Sequence, residues 1–486
     1  MTEREKTAHV LRRFGLGAGR AELARYEKLG WQKTLDAMLA EDKTDEKFPV
    51  SPYEFVAQPK GNLEPNSGNM ANWWALRLVM TRRPLTEKLS VFWHDHFALD
   101  AEKVGEAPTM LGYLDVVRRH GKGKFRDLLH AVVKQGAVLV YLDNHTSNRI
   151  HPNENFAREL FELFTLGIGN YTEQDVKEAA RATTGWSVHY LGTGQSTKYD
   201  QLREKATRNK LSLYNFCDCP AIHDDGVKTV LGKTGRWTGD DVLDIAARHP
   251  ATAKFVCTKL WTFFATPDPD PRAVEGLIKV WQKTDGDIAA VLRAIAQSKE
   301  FWSESCVRQM PKSPLDFTVS LFRNLDLGPT LLALRGDPFT EFTPMKREVR
   351  DAGGTVNYLM RRQGLHLLFP PNVNGWDWGA SWITAQNVVY RLQHATQLFA
   401  SGGKDRPLAV KAATLAGATT ATTEKEFVQG LADVLDAPLS QAMLDQLAAE
   451  CTAQGGLAAL KNPAGTAKVV TRLAHLMFAV PEFQLC

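Results

Sequence analysis

The chain is poor in the features that usually place a protein quickly. Only six of its 486 residues are cysteine, at positions 217, 219, 257, 306, 451 and 486. That spacing makes no disulfide framework and fits a reducing compartment. Nowhere do about 18 uncharged apolar residues run together, so no transmembrane helix is expected. The N-terminal MTEREKTAHVLRR is polar, and no apolar export segment with a small-residue cleavage site follows it. A soluble, cytoplasmic protein is the expectation. Neither sign of charge is much in excess, with 59 Lys and Arg against 55 Asp and Glu. The charges are dispersed, which disfavours nucleic acid as a partner. The one basic stretch, Arg118 to Arg126 with His120, Lys122 and Lys124, reads as a solvated helix end.

Familiar catalytic signatures are missing too. GLGAG at 15–19 looks like a dinucleotide fingerprint, but Arg20 takes the last glycine position and a helical pattern precedes it where a strand is required. It reads as a turn. Gly232-Lys233-Thr234 lacks a phosphate-loop glycine at the right distance, because Gly226 lies one residue too far upstream. The sequence contains no GxSxG elbow, no HExxH helix and no CxxC pair. Cys217 and Cys219, with His223 and Asp224, offer soft and imidazole ligands within eight residues. Closed zinc sites draw on two separated ligand pairs, so plain thiols in a hairpin are the better reading.

What is present is helical period. Residues 69–82, 84–99, 110–120, 124–135, 153–166 and 173–184 carry apolar stripes at three- and four-residue spacing, as do 238–249, 250–265, 272–284, 286–297 and 313–325. Pro84, Pro152, Thr172, Thr238 and Pro250 supply start signals. The expected fold class is mainly α, a multi-helix bundle of two lobes with a small β-hairpin or irregular insert. The expected division is 1–190, an N-terminal helical lobe; 191–237, the insert; 238–400, a second helical lobe; and 401–486, an Ala-rich C-terminal helical segment. Within the second lobe FPPNVNGWDWGASW, 369–382, is too rich in Pro, Gly and Asn for a helix interior and must be a shaped loop before a helix at 382–399. The chain holds 12 tryptophans, several of them close together, as at Trp73 and Trp74 and at Trp376, Trp378 and Trp382. Such side chains fill cores and lobe interfaces, or stack on flat ligands.

One polar constellation stands out, around 94–162. In FWHDHF, His96 falls on the stripe of Leu85, Leu89 and Phe92 while His94 points away from it. His96 is therefore buried or faces a cleft. In LDNH and HPNENFARELFEL, the apolar face is Phe156, Leu160, Leu163 and Phe164, which leaves Asn155, Arg158, Glu159 and Glu162 together on the opposite face. An ordinary surface helix would merely solvate that face, with Arg158 supporting Glu154 and Glu162 at four-residue spacing. Asn144, Asn153 and Asn155 are poor helix formers but good cap and site groups, crowded beside His145 and His151. Such carboxylates, amides and imidazoles could hold a divalent metal or supply a general acid and base.

PNENFARELFELFTLGIGNYTEQDVKEAARATTGW, 152–186, resembles the signature of the bacterial family called domain of unknown function 1800 (DUF1800). HVLRRFGLGAGRAEL, FWHDHFA, HDDGVKTVLGKTG and FPPNVNGWDWGASWITAQN are similar to that family in the same order. The resemblance implies a largely helical fold and brings no established reaction. It also implies a protein partner from family 1501 (DUF1501), which resembles alkaline phosphatases and sulfatases and is often encoded alongside. Cys217 and Cys219 depart from the family pattern, which weakens the zinc idea further.

The leading expectation is an enzyme of hydrolase type acting on a saccharide or other polar substrate, in a cleft between the 84–99 and 153–166 helices. Glu154, Glu159, His96 and Arg158 would be the catalytic groups: carboxylates for acid/base work, imidazole, and anion clamp. Asn144, Asn153, Asn155, Asn372, Trp376 and Trp378 would bind substrate. The alternative is a non-catalytic binding or scaffold protein for a phosphatase-like partner, its polar groups forming a closed network. A third reading is a metalloprotein, which needs at least three of His94, His96, His145, His151, Glu154 and Glu159 to converge.

Overall fold

Apolar positions at helical spacing fold as the pattern dictates. In the computed structural model, which describes residues 1–41, 46, 48–52, 55, 67–190, 212, 214–335 and 346–486, 65% is helical, in 24 helices, with two small two-stranded sheets. Most start signals work where the sequence puts them, but Pro152 lies outside its helix, which begins at Glu154 with Asn153 as N-cap. Pro84 and Pro250 open the Pro84–His96 and Pro250–Phe264 helices. Thr172 and Thr238 form capping boxes with Asp175 and Asp241. The 153–166 segment is less regular than expected: an α-helix, Glu154–Glu159, passes into a π-helix, Leu160–Thr165. Arg347–Arg362 is a helix that the apolar pattern did not suggest. Its Gly353 lies so close to the Ser67–Met80 helix that a Cβ there would sit 2.5 Å from the Asn72 carbonyl oxygen.

Three of the four strands fall in the 191–237 insert, while the first, at 186–190, lies just ahead of it; residues 191–211 and 213 lie outside those described. β1 (Trp186–Tyr190) pairs antiparallel with β2 (Tyr214–Asp218), Trp186 opposite Asp218. β3 (Lys228–Val230) and β4 (Lys233–Gly235) form a tight hairpin whose turn residues, Leu231 and Gly232, both have positive φ. The Gly-Lys-Thr run is thus a hairpin turn and first strand residues, not a phosphate loop. Cys217 and Cys219 are half-buried free thiols, 3.6 Å apart.

Buried apolar side chains from Val10 to Phe483 make one continuous cluster. The 84–96 helix runs through it with all 13 of its residues buried. No helix of the described residues is long and apolar enough to cross a membrane.

Candidate functional site

A helix buried on every side must find partners for its polar groups, and the charged side chains of the 84–96 helix find them far along the chain. Glu87 accepts from the Trp74 indole (3.0 Å), Arg77 (2.5 Å) and Arg118 (2.9 Å). Burial alone would raise its carboxyl, but the two guanidiniums outweigh that and hold it at about 2. Lys88 donates to the Arg12 carbonyl and to Asp316, each at 2.9 Å.

Asp95 is different. It is 4% exposed, and its oxygens accept from the Trp376 backbone N–H (2.7 Å) and the Trp378 indole (2.8 Å). These bonds anchor the 369–382 loop, and Gly375 makes them possible: it has φ +81°, and a Cβ there would lie 2.3 Å from Asp95 Oδ1. Burial pushes the Asp95 carboxyl up to about 6, against the pull of Lys259 and the two N–H donors. Burial also lowers the Lys259 ammonium, whose charge acts on both Asp95 and His96. Lys259 lies over the Phe255 ring at 5.5 Å, and among the described residues no carboxylate closes on it as an ion pair. Lys259 and Trp378 are half-buried and Asp377 is exposed.

Both histidines of FWHDHF are buried. His96 Nε2 lies 3.0 Å from the Phe164 carbonyl in the π-helix. A carbonyl only accepts, so Nε2 carries the hydrogen and Nδ1 is left as a bare, buried acceptor without a partner. Burial, with Lys259 nearby, lowers the imidazole well below its ordinary value, so it is neutral. His94 sits among Trp74, Tyr113 and Trp376, with ring centroids 5.5–5.8 Å away. Neither of its nitrogens has a hydrogen-bond partner, and burial pushes it down to about 3. The helical wheel separates the two rings correctly, but the side away from the stripe is also interior.

The 144–162 residues are mostly spent on structure. Asn144 is buried and donates to the Trp186 carbonyl (3.4 Å), joining the 144–146 turn to β1. Asn153 is the N-cap of the 154–159 helix, accepting from Phe156 N–H and donating to the Leu142 carbonyl (2.9 Å). Glu154 and Asn155 are exposed. Arg158 does not close on Glu154 or Glu162 but forks onto Glu173, at 2.5 and 2.8 Å. Glu162 instead accepts from the Tyr171 hydroxyl (2.6 Å). Glu159 is half-buried, its carboxyl raised by burial and by Glu162. Glu154 and Glu159 project about 140° apart on a helix, too far round to act as a facing carboxylate pair. On the loop, Asn372 is exposed and caps a turn through Asn374 N–H (2.8 Å), Trp376 is buried, and Trp378 is half-buried.

The conditional metal ligands do not converge. His145 Nδ1 bonds the Leu139 carbonyl (3.1 Å), His151 and Glu154 are exposed, and His96 is interior. Among the described residues no three His, Cys, Asp or Glu side chains are arranged to hold a metal ion.

Sequence reasoning passed over Asp95 and Lys259. A signal existed for each: Asp95 is an acid amid five aromatic and imidazole neighbours, and Lys259 interrupts the apolar run of KFVCTKLWTFF.

Compared with known proteins, the chain has no match among curated proteins or solved structures. A family model described as "Protein of unknown function (DUF1800)" matches residues 9–485, nearly the whole length. The chain therefore belongs to the DUF1800 family.

Proposed function

We propose that the chain is an acid/base enzyme of hydrolase type, with Asp95 and Lys259 as its proton-handling pair. The observation that carries this reading is the buried Asp95 carboxyl, held by the Trp376 N–H and the Trp378 indole and pushed up to about 6 by burial, in the field of the half-buried Lys259 ammonium, which is lowered from its ordinary value, with no ion pair between them among the described residues. Two groups whose environments move their affinities for protons toward neutrality suit general acid and base roles. Asp95 would take a proton from water or from a substrate hydroxyl, and Lys259 would oppose negative charge that develops on the substrate. Neutral His96 lies within the field of the same ammonium, and Trp378 offers a partly exposed indole for a polar substrate with a flat or sugar-like face.

The test is a turnover screen of the full chain on aryl esters, phosphoesters and glycosides, comparing wild type with Asp95→Asn and Lys259→Met. Loss of about a hundredfold or more in both variants, with folding intact, is expected. Wild-type inertness on all three classes, or full activity in Asp95→Asn, refutes the reading.

A second reading has one observation in its favour. Both Asp95 oxygens are already taken by the loop, as expected if the cluster fixes the shape of a binding surface. The chain would then be a scaffold for a phosphatase-like partner of the DUF1501 type. Co-expression of the two, with Gly375→Ala reducing co-purification and no turnover by the chain alone, separates this from catalysis.

A further inference from the structure

All six cysteines are free thiols, but their surroundings divide them into two groups. Cys257, Cys306 and Cys451 are fully buried, and Cys486 is 3% exposed. Burial pushes the Cys257 thiol up to about 12 and those of Cys306 and Cys451 up to about 11, which leaves these three inert as nucleophiles at neutral pH. Cys217, near the end of β2, and Cys219, just past it, are half-buried instead. Residues two apart on a strand point to the same face, and here the two sulfurs lie 3.6 Å from each other.

The backbone beside the pair can be tightened at one place. Cys217 sits opposite Ser187 in the β1–β2 register, and the Cys219 N–H donates to the Gly185 carbonyl (2.8 Å). Past Cys219 the chain leaves the strand for the Pro220–Ile222 turn. Two residues apart in extended chain, Cα atoms are separated by roughly 6.6–7.2 Å. A disulfide tolerates up to about 6.8 Å. Closing a bond between Cys217 and Cys219 therefore asks Asp218, the last residue of β2, to give up a little extension, and a bond made under that strain is easily reduced. Burial, with Cys219 and Asp218 beside it, raises the Cys217 thiol, so it waits protonated and exchanges slowly at neutral pH.

We propose that Cys217 and Cys219 are a reversible disulfide site, closed by a small-molecule disulfide and reopened by a dithiol. One cysteine thiolate attacks a sulfur of the small disulfide, which forms a mixed disulfide and releases one small thiol. The other cysteine then attacks the protein sulfur of that intermediate, which forms the Cys217–Cys219 bond and releases the second small thiol. The chain gives up two protons and two electrons, and the small disulfide takes them up as two thiols. The second step is intramolecular, with the attacking sulfur already close at hand, at an effective concentration that no free thiol matches. The pair shares no residue with the Asp95 cluster, so the two proposals stand or fall separately.

Treatment of the reduced full chain with oxidised glutathione, read by mass spectrometry, tests it. Before oxidation, iodoacetamide should label Cys217 and Cys219 in the folded chain at least about tenfold faster than the other four cysteines. After oxidation the chain should lose two hydrogen masses, with Cys217 and Cys219 joined to each other, and dithiothreitol should restore both thiols. The internal disulfide should exceed the glutathione-bound form by at least about tenfold. In at least one of Cys217→Ser and Cys219→Ser, where no second thiol can resolve the intermediate, glutathione should stay attached. Glutathione that persists on the wild-type pair, both thiols still free after exhaustive oxidation, or a disulfide between two chains overturns the proposal. So does labelling of the buried cysteines as fast as the pair, or the absence of a glutathione adduct from both single variants.

Discussion

Replacing Asp95 with Asn removes an ionisable group whose environment favours its protonated form, and the effect on stability has a definite sign. In the folded chain Asp95 is raised from 3.8 to about 6, chiefly by burial. Stability contributed by such a group is complete below its unfolded value and is lost as pH climbs through about 6. The full swing is about 3 kcal/mol, of which about 2 kcal/mol falls between about pH 4.5 and about pH 7.5. Asn keeps one acceptor for the Trp376 N–H but does not titrate. The wild-type chain should therefore lose about 2 kcal/mol relative to Asp95→Asn across that interval, whichever is more stable at its start. Urea unfolding followed by circular dichroism at several pH values measures the difference, and contributions from groups distant from position 95 cancel. A difference constant to within about 0.5 kcal/mol would mean that Asp95 titrates as an ordinary surface acid, and the argument for its catalytic role would go with it.

Three further outcomes follow from the same geometry. Glu87→Gln leaves Arg118 and Arg77 beside a neutral amide in the interior and should cost about 3–5 kcal/mol in urea unfolding, whereas a cost under about 1 kcal/mol would contradict the buried triad. Because the guanidiniums outweigh burial and hold Glu87 at about 2, its contribution is present above about 4.5 and is lost only as pH falls toward 2. Gly375→Ala combines a left-handed backbone with a Cβ 2.3 Å from Asp95 Oδ1 and should destabilise by about 2 kcal/mol or more. Its indole fluorescence should also shift as the Trp378 bond is released, and an unchanged spectrum would refute the lock. Arg158→Ala breaks a partly exposed ion pair and should cost less than about 1 kcal/mol. A tenfold loss of activity in that variant, with stability kept, would return Arg158 to the site.

Which parts of this were legible depends on how far apart in sequence the causes lie. Helices at 84–96, 173–182 and 250–264 follow from local spacing and caps, and the sequence shows both. The 347–362 helix escaped because Gly353 and Gly354 lower local helix propensity, while the reason for Gly353, close approach to Asn72, lies more than 280 residues away. Arg158 could be paired only with acids within one turn, so its fork onto Glu173 across the next loop was invisible. The wheel correctly set His94 opposite His96, but a wheel shows only one helix. It cannot reveal that Trp74 and Trp376 cover the second face, which turns an outward histidine into a core one. Asp95 combines both failures. The wheel gives it no role between its two histidines, and its significance rests on Trp376, Trp378 and Lys259, none of them within 160 positions of it. A cluster assembled from such distant segments has no periodic signature. Its trace in the sequence is compositional: single charged residues inside otherwise apolar or aromatic runs, as Asp95 and Lys259 are, because burying a charge is too costly to occur without a partner or a purpose.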